Sequence, residues 1–204
     1  MIDLGFTHIF EKGNPIKPVL LLLHGTGGNE QDLIGLAKDV APDAGILSVR
    51  GKVLENGMPR FFKRLAEGVF DLEDLKLRTA ELVQFITDAK AYYGLQDRAL
   101  YALGYSNGAN IASSVLFSAP QALDGAILLR GMVPFYPDPL PDLTGKAILL
   151  LSGAFDEIMS AEEAKILSGL FERAGADVTF VTQPAGHGLV QPDIEAMRTW
   201  LEDK

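Results

Sequence analysis

The chain has 204 residues, 48% of them hydrophobic and 22% charged, with a formal net charge of −9 and no cysteine. That length suits one domain, residues 1–204, with a sizeable core. The missing cysteines exclude disulfides, thiolate metal sites and a cysteine nucleophile. The acidic balance disfavours nucleic acid and anionic membrane surfaces as partners.

The opening segment MIDLGFTHIFEKG has no basic stretch followed by an apolar one, so a secretory leader is not expected. The apolar run Val19–Leu23 is far too short to span a bilayer. A cytoplasmic location is the default expectation. Oligomeric state is left open, a homodimer being one option.

In chain order, Gly5–Phe10 is expected as an antiparallel edge strand. Short apolar runs follow at Val19–Leu23, Ile46–Val49, Leu100–Leu103, Ala126–Leu129, Ala147–Leu151 and Val178–Val181. Residues apolar at consecutive positions suit strands buried on both faces. Helical patterns lie between them: about Glu30–Asp39, Leu72–Tyr93, a stretch from just after Ser106 to before Pro120, Ala161–Ala174 and Ile194–Leu201. This alternation predicts an α/β fold, a mostly parallel sheet with helices on both faces. Two stretches break the rhythm, Gly51–Phe70 and the proline-rich Gly131–Pro141. Each follows a strand, which places it as an irregular loop at the carboxyl edge of the sheet, where ligands bind in open α/β folds.

The strongest chemical signal is Gly104-Tyr105-Ser106-Asn107-Gly108, set between a strand and a helix. A strand that turns at once into a helix exposes one side chain at a strained tip. Glycines on either side let the two backbones approach, which makes this G-x-S-x-G a nucleophile elbow. A serine nucleophile needs a base. His187, in the loop between the last strand and the last helix, returns to the same edge. His24 precedes a glycine-rich turn and is expected to hold that turn, while His8 has a surface role. The orienting acid is Asp156, in the loop after Ala147–Leu151, with Glu157 as fallback. Serine, acid, histidine is the chain order of α/β-hydrolases. The turn Gly25–Gly28 is expected to open a helix and to offer the Thr26 N–H to an oxyanion, with the Asn107 N–H as second donor. It matches neither the phosphate-loop nor the dinucleotide glycine pattern.

The segments LLLHGTGGNEQDL, GYSNGAN, SGAFDEIMS and AGHGL resemble the phospholipase/carboxylesterase family, which includes bacterial carboxylesterases and acyl-protein thioesterases. The resemblance covers nearly the whole chain. It implies a compact α/β-hydrolase without a large cap domain, with Ser106, Asp156 and His187 as catalytic residues and Thr26 and Asn107 as oxyanion donors. Acyl-protein thioesterases often carry leucine at the place of Thr26 and glutamine at that of Asn107. The stretch PRFFKRLAEGVFD is closer to the bacterial esterase branch.

The expected function is hydrolysis of a small carboxylic ester through an acyl-enzyme, with no metal or organic cofactor. Thioester hydrolysis and lysophospholipase-like activity are alternatives within the same chemistry. A non-catalytic binding module is the alternative from another class. Phe61, Phe62 and Phe70 are candidate walls of the substrate pocket, or else bury their segment against the core.

Overall fold

The computed structural model describes residues 4–204. Its elements in chain order are β1 (His8–Glu11), β2 (Val19–Leu23), α1 (Ile34–Val40), β3 (Gly45–Val49), β4 (Val53–Glu55), β5 (Met58–Arg60), β6 (Arg64–Ala66) and β7 (Val69–Phe70). There follow α2 (Leu72–Tyr93), β8 (Leu100–Tyr105), α3 (Asn107–Ser118), β9 (Gly125–Leu129), β10 (Ala147–Gly153), α4 (Ala161–Arg173), β11 (Asp177–Gln183) and α5 (Gln191–Glu202).

Seven strands form the central sheet in the order β1-β3-β2-β8-β9-β10-β11. Only β1 runs antiparallel, pairing His8 with Val49 on β3. The other five neighbouring pairs are parallel. The continuous apolar runs therefore form strands, and those of the inner sheet are covered on both sides; Val178–Val181 is the exception, since β11 is an edge strand with Thr179 exposed and Val178, Phe180 and Val181 only half-buried. All five residues of β2 are at most 1% exposed. Alternate side chains divide between two cores. Leu21 and Leu23 join Leu82, Phe85, Val115 and Phe171 under α2, α3 and α4. Leu20 and Leu22 join Ala37, Val40, Met197 and Leu201 under α1 and α5. Among the described residues no helix is long and apolar enough to cross a membrane.

Two expectations need correction. The first helix begins at Ile34 rather than near Glu30, and Gly25–Gly28 does not open it. The Asn29 carboxamide accepts the Gln31 N–H at 2.8 Å and its carbonyl accepts the Asp32 N–H at 3.3 Å. Local bonding of this kind closes a turn in competition with a helix. The second correction concerns Gly51–Phe70, which is not an irregular loop. It forms two hairpins, β4–β5 and β6–β7. The first turns at Asn56-Gly57, both with positive φ, 51° and 81°. This is the two-residue turn whose twist suits a hairpin, and Asn-Gly is its favoured sequence.

The elbow depends on close backbone contact. A Cβ at Gly108 would overlap the carbonyl oxygen of Leu23, at the end of β2. A Cβ at Gly104 would lie 2.6 Å from the Gly108 carbonyl oxygen. Gly108→Ala is therefore expected to abolish soluble folded protein or lower its melting temperature steeply. Gly35, in α1, has open space where a Cβ would stand. Gly35→Ala should be neutral or stabilise by at most about 0.5–1 kcal/mol, the helix-interior difference, since Gly35 lies in the first turn of α1. Thermal melts of the two variants test the contrast; a Gly108→Ala variant melting with wild type would contradict it.

Candidate active site

Ser106 stands between β8 and α3 with φ 52° and ψ −112°. A non-glycine residue in such a conformation is strained by roughly 1–3 kcal/mol and needs support from its surroundings. Its N–H donates to the Leu129 carbonyl at 2.8 Å, tying the tip to the end of β9. Its carbonyl accepts the Asn110 N–H at 3.0 Å, beginning the helical bonding of α3.

The other expected residues gather at the same edge. The His187 Nδ1 lies 2.8 Å from Asp156 Oδ2. The second Asp156 oxygen accepts the N–H groups of Ile158 and Met159, both at 2.9 Å. With Oδ1 occupied by two donors and Oδ2 facing the imidazole, the carboxylate has one orientation. An ionised carboxylate only accepts, so His187 carries its proton on Nδ1 and presents a lone pair at Nε2. Thr26, Ser106, Asn107 and His187 line one cavity of about 370 Å³, together with Arg60, Arg64, Glu67, Phe70, Asn110 and Met159 among others. The Asn107 N–H lies in the first turn of α3, where backbone donors lack partners within the helix.

The first hairpin holds the Thr26 turn. The Gly27 N–H donates to the Pro59 carbonyl at 2.9 Å. The Thr26 hydroxyl oxygen accepts from Arg60 Nη1 at 2.7 Å. The Asn107 carboxamide oxygen accepts the Phe61 N–H at 2.7 Å. The segment at 59–61 therefore bridges the two expected oxyanion donors.

The three phenylalanines separate. Phe61 and Phe62 are 2% and 0% exposed and belong to the main core. Neither lines the cavity: both lie in the bend between β5 and β6, where the chain leaves strand geometry and both rings turn into the core. The Phe61 ring packs on His24 at 4.8 Å, and the Phe62 ring meets Phe70 edge-on at 5.0 Å. Only Phe70 reaches the cavity. Gly68 and Phe70 also line a second, apolar cavity of about 780 Å³ with Val133, Phe135 and Tyr136, from the proline-rich loop.

His24 is buried and holds its turn from both ring nitrogens. Nε2 accepts the Gly51 N–H at 3.0 Å, which obliges Nδ1 to carry the proton and donate it to the Gly25 carbonyl at 2.6 Å. Burial depresses its pKa below the ordinary histidine value, against the smaller opposing effects of the Gly25 carbonyl and the Asp32 and Glu30 carboxylates. His8 lies in β1, bonded to the Phe6 carbonyl and the Tyr93 hydroxyl.

Arg130 is the residue that no motif signals. It is fully buried, has φ 54°, and forms a two-pronged ion pair with Asp193 at 2.6 and 3.2 Å. The same guanidinium donates to the carbonyls of Gly186 at 3.1 Å and Gly188 at 3.0 Å, on either side of His187. Asp193 Oδ2 also accepts the Val190 N–H at the start of α5. An apolar strand ending in arginine, Ala126–Arg130, is the only trace of this in the sequence.

Arg130→Met leaves Asp193 buried without its partner and should destabilise by about 3–5 kcal/mol. Adding Asp193→Asn removes the lone charge, so the double variant should recover stability in urea titrations. Its kcat should remain low, because the Gly186 and Gly188 carbonyls still lack their donor. Recovery of both quantities would make the pair a stability element only.

His24 gives a pH dependence of stability. A histidine whose folded pKa lies below the unfolded value, about 6.5, gives stability present above that pH and lost as pH falls through the folded pKa. Unfolding free energies at pH 7, 6 and 5 should therefore fall more steeply in wild type than in His24→Gln. Equal slopes would remove His24 from the account.

The phospholipase/carboxylesterase family model matches residues 4–204. MhqD of Bacillus subtilis strain 168 is 48% identical over 196 residues, covering 96% of this chain and 98% of that protein. The crystal structure of a Bacillus cereus carboxylesterase superposes with a TM-score of 0.95 at 49% identity, covering 98% of this chain and 94% of the other. A Mesorhizobium loti carboxylesterase superposes with a TM-score of 0.91 at 33% identity, covering 100% of this chain and 98% of the other. With an α/β-hydrolase sheet, an elbow serine and a match along the whole described length, the chain belongs to the phospholipase/carboxylesterase family of carboxylic-ester hydrolases.

Proposed function

We propose that the chain hydrolyses small carboxylic esters through an acyl-enzyme formed on Ser106. The observation that carries this reading is the 2.8 Å bond from His187 to a fully engaged Asp156, with His187 and the strained Ser106 on one cavity. The His187 lone pair at Nε2 takes the Ser106 proton as the hydroxyl oxygen attacks the acyl carbon. The developing oxyanion accepts from the Thr26 and Asn107 N–H groups, whose positions are set before substrate arrives. Asp156 stabilises the imidazolium that results. His187 then gives its Nε2 proton to the leaving alkoxide, and the C–O bond breaks. Water repeats the sequence on the acyl-serine, releasing the acid and restoring the serine. These steps need no metal or organic cofactor.

Ser106→Ala should lower kcat on short-chain esters by on the order of 10⁴-fold or more while the melting curve is unchanged. A fluorophosphonate should label the wild type at Ser106. A folded Ser106→Ala variant keeping a tenth of wild-type activity would overturn the mechanism. Failure of the wild type to label would favour a binding module on a hydrolase fold.

A further inference from the structure

The cavity beside Ser106 carries two guanidinium groups that ester hydrolysis itself does not use. Arg60 comes from β5 and Arg64 from β6, and both line the cavity. They share one carboxylate on the protein side. Glu55 Oε1 accepts from Arg64 Nε at 2.9 Å, and Glu55 Oε2 lies 3.6 Å from Arg60 Nη1. One carboxylate against two guanidinium groups leaves a positive charge uncompensated. Glu67 also lines the cavity, but it is exposed at the turn of the second hairpin, where water weakens its field. Asp156 is turned to His187 and to two backbone donors.

The two arginines differ in what they have left to offer. Arg60 is 3% exposed and donates to the Phe62 carbonyl and the Thr26 hydroxyl oxygen. Arg64 has a side chain 29% exposed and bonds through Nε alone. Its two terminal nitrogens have no hydrogen-bond partner among the described residues, so a planar pair of donors remains open beside the cavity. A purely structural arginine that stitches the hairpins through Glu55 would not need that pair. The charge balance agrees. Burial, then the neighbouring Arg64 charge, holds the Arg60 pKa below its ordinary value. The Arg64 hydrogen bond and the Arg60 charge hold Glu55 below the usual carboxylate range. On a chain of net charge −9 the long-range field repels anions, so local excess positive charge in the cavity is not a general property of the surface.

We propose that Arg64 binds a carboxylate, and that the preferred ester bears one a few bonds from its scissile carbonyl. Such substrates are half-esters of short dicarboxylic acids, or acyl esters of short hydroxy acids. The inference rests on the Ser106 hydrolase reading and names the substrate class of that site. Guanidinium and carboxylate meet through two parallel hydrogen bonds, a geometry that fixes the substrate's orientation as well as its affinity. A cavity of about 370 Å³ is of the size that encloses a small molecule.

The test compares charged and neutral esters of similar shape. Monoethyl succinate is set against ethyl pentanoate for a carboxylate on the acyl side. Butyryl glycolate is set against propyl butyrate for one on the alcohol side. In at least one pair the wild type should favour the anion in kcat/KM by roughly 10-fold to 100-fold, the scale of a charged hydrogen bond. Arg64→Met should bring that ratio close to 1, and Arg64→Lys should keep part of it. A wild-type ratio at or below 1 in both pairs overturns the proposal, as does a ratio that Arg64→Met leaves unchanged. If Arg64→Met does not fold, the wild type alone decides. Free succinate should inhibit ethyl pentanoate hydrolysis competitively and at least about 10-fold more tightly than succinamide; equal inhibition overturns the proposal. Failure of the hydrolase reading is recognised separately, as ethyl pentanoate turnover that survives Ser106→Ala.

Discussion

The backbone of α3 touches the backbone of β2 at Gly108, and the geometry of the site follows from that contact. With no side chain at 108, the first turn of α3 sits against the carbonyls of Leu23 and His24. β2 and β8 are neighbours in the sheet, with Leu23 opposite Gly104. The contact therefore sets how far the end of one strand lies from the elbow of the next. Thr26 leaves the first strand and Asn107 follows the second. The distance between the two backbone donors is thus set first by sheet register and by a backbone contact, before any side chain acts. Donors that need no reorganisation when charge develops are the most effective kind.

The remaining parts are held by buried polar groups at loop ends. His24 reaches backbone on both sides, joining the Thr26 turn to Gly51. Arg60 and Asn107 join the first hairpin to the same region. Arg130 and Asp193 grip the histidine loop from beneath. Each of these groups is costly to bury unless its hydrogen bonds are met, and of them only Asn107 keeps a buried donor, its Nδ2, without a partner among the described residues. Each therefore enforces one arrangement of the loop it serves. Loops over a sheet edge would otherwise be the most mobile part of such a fold.

The strands and the elbow were legible in the sequence because each rests on a local signal. Val19–Leu23 is apolar at every position and only five residues long between Pro18 and Gly25, which suits a strand covered on both faces and is too short for a helix. Gly104-x-Ser106-x-Gly108 places its glycines where two backbones must approach. The order Ser106, Asp156, His187 then follows strand by strand. What was not legible depends on contacts between distant residues. Phe61 and Phe62 look like pocket walls because they lie in a segment over the site, yet the hairpin turns both rings into the core. Asn56-Gly57 did carry a hairpin signal, but it is flanked by short runs without clean alternation. Arg130 has no motif, since its partners are carbonyls and a carboxylate 21 to 63 residues away.

The cavity has unlike sides, and this bears on what the site can select. Near the serine its walls are mixed, with the polar Thr26, Asn107, Asn110, Arg60, Arg64 and His187 beside the apolar Phe70, Ile158 and Met159. Beyond Gly68 and Phe70 the neighbouring cavity is bounded mainly by Val69, Leu75, Val133, Pro134 and Phe135. The two share the second hairpin as a wall. Apolar area discriminates weakly between substrates, because one methylene more or less changes little. A guanidinium with two N–H donors still open discriminates more strongly, because a substrate that lacks the matching anion leaves those donors to water alone. The serine, the histidine and the backbone donors act on the scissile bond alone, so selection among esters falls to the side chains around them. Among the described hairpin side chains that line the cavity, Arg64 is the one bonded through Nε alone, with both terminal nitrogens open.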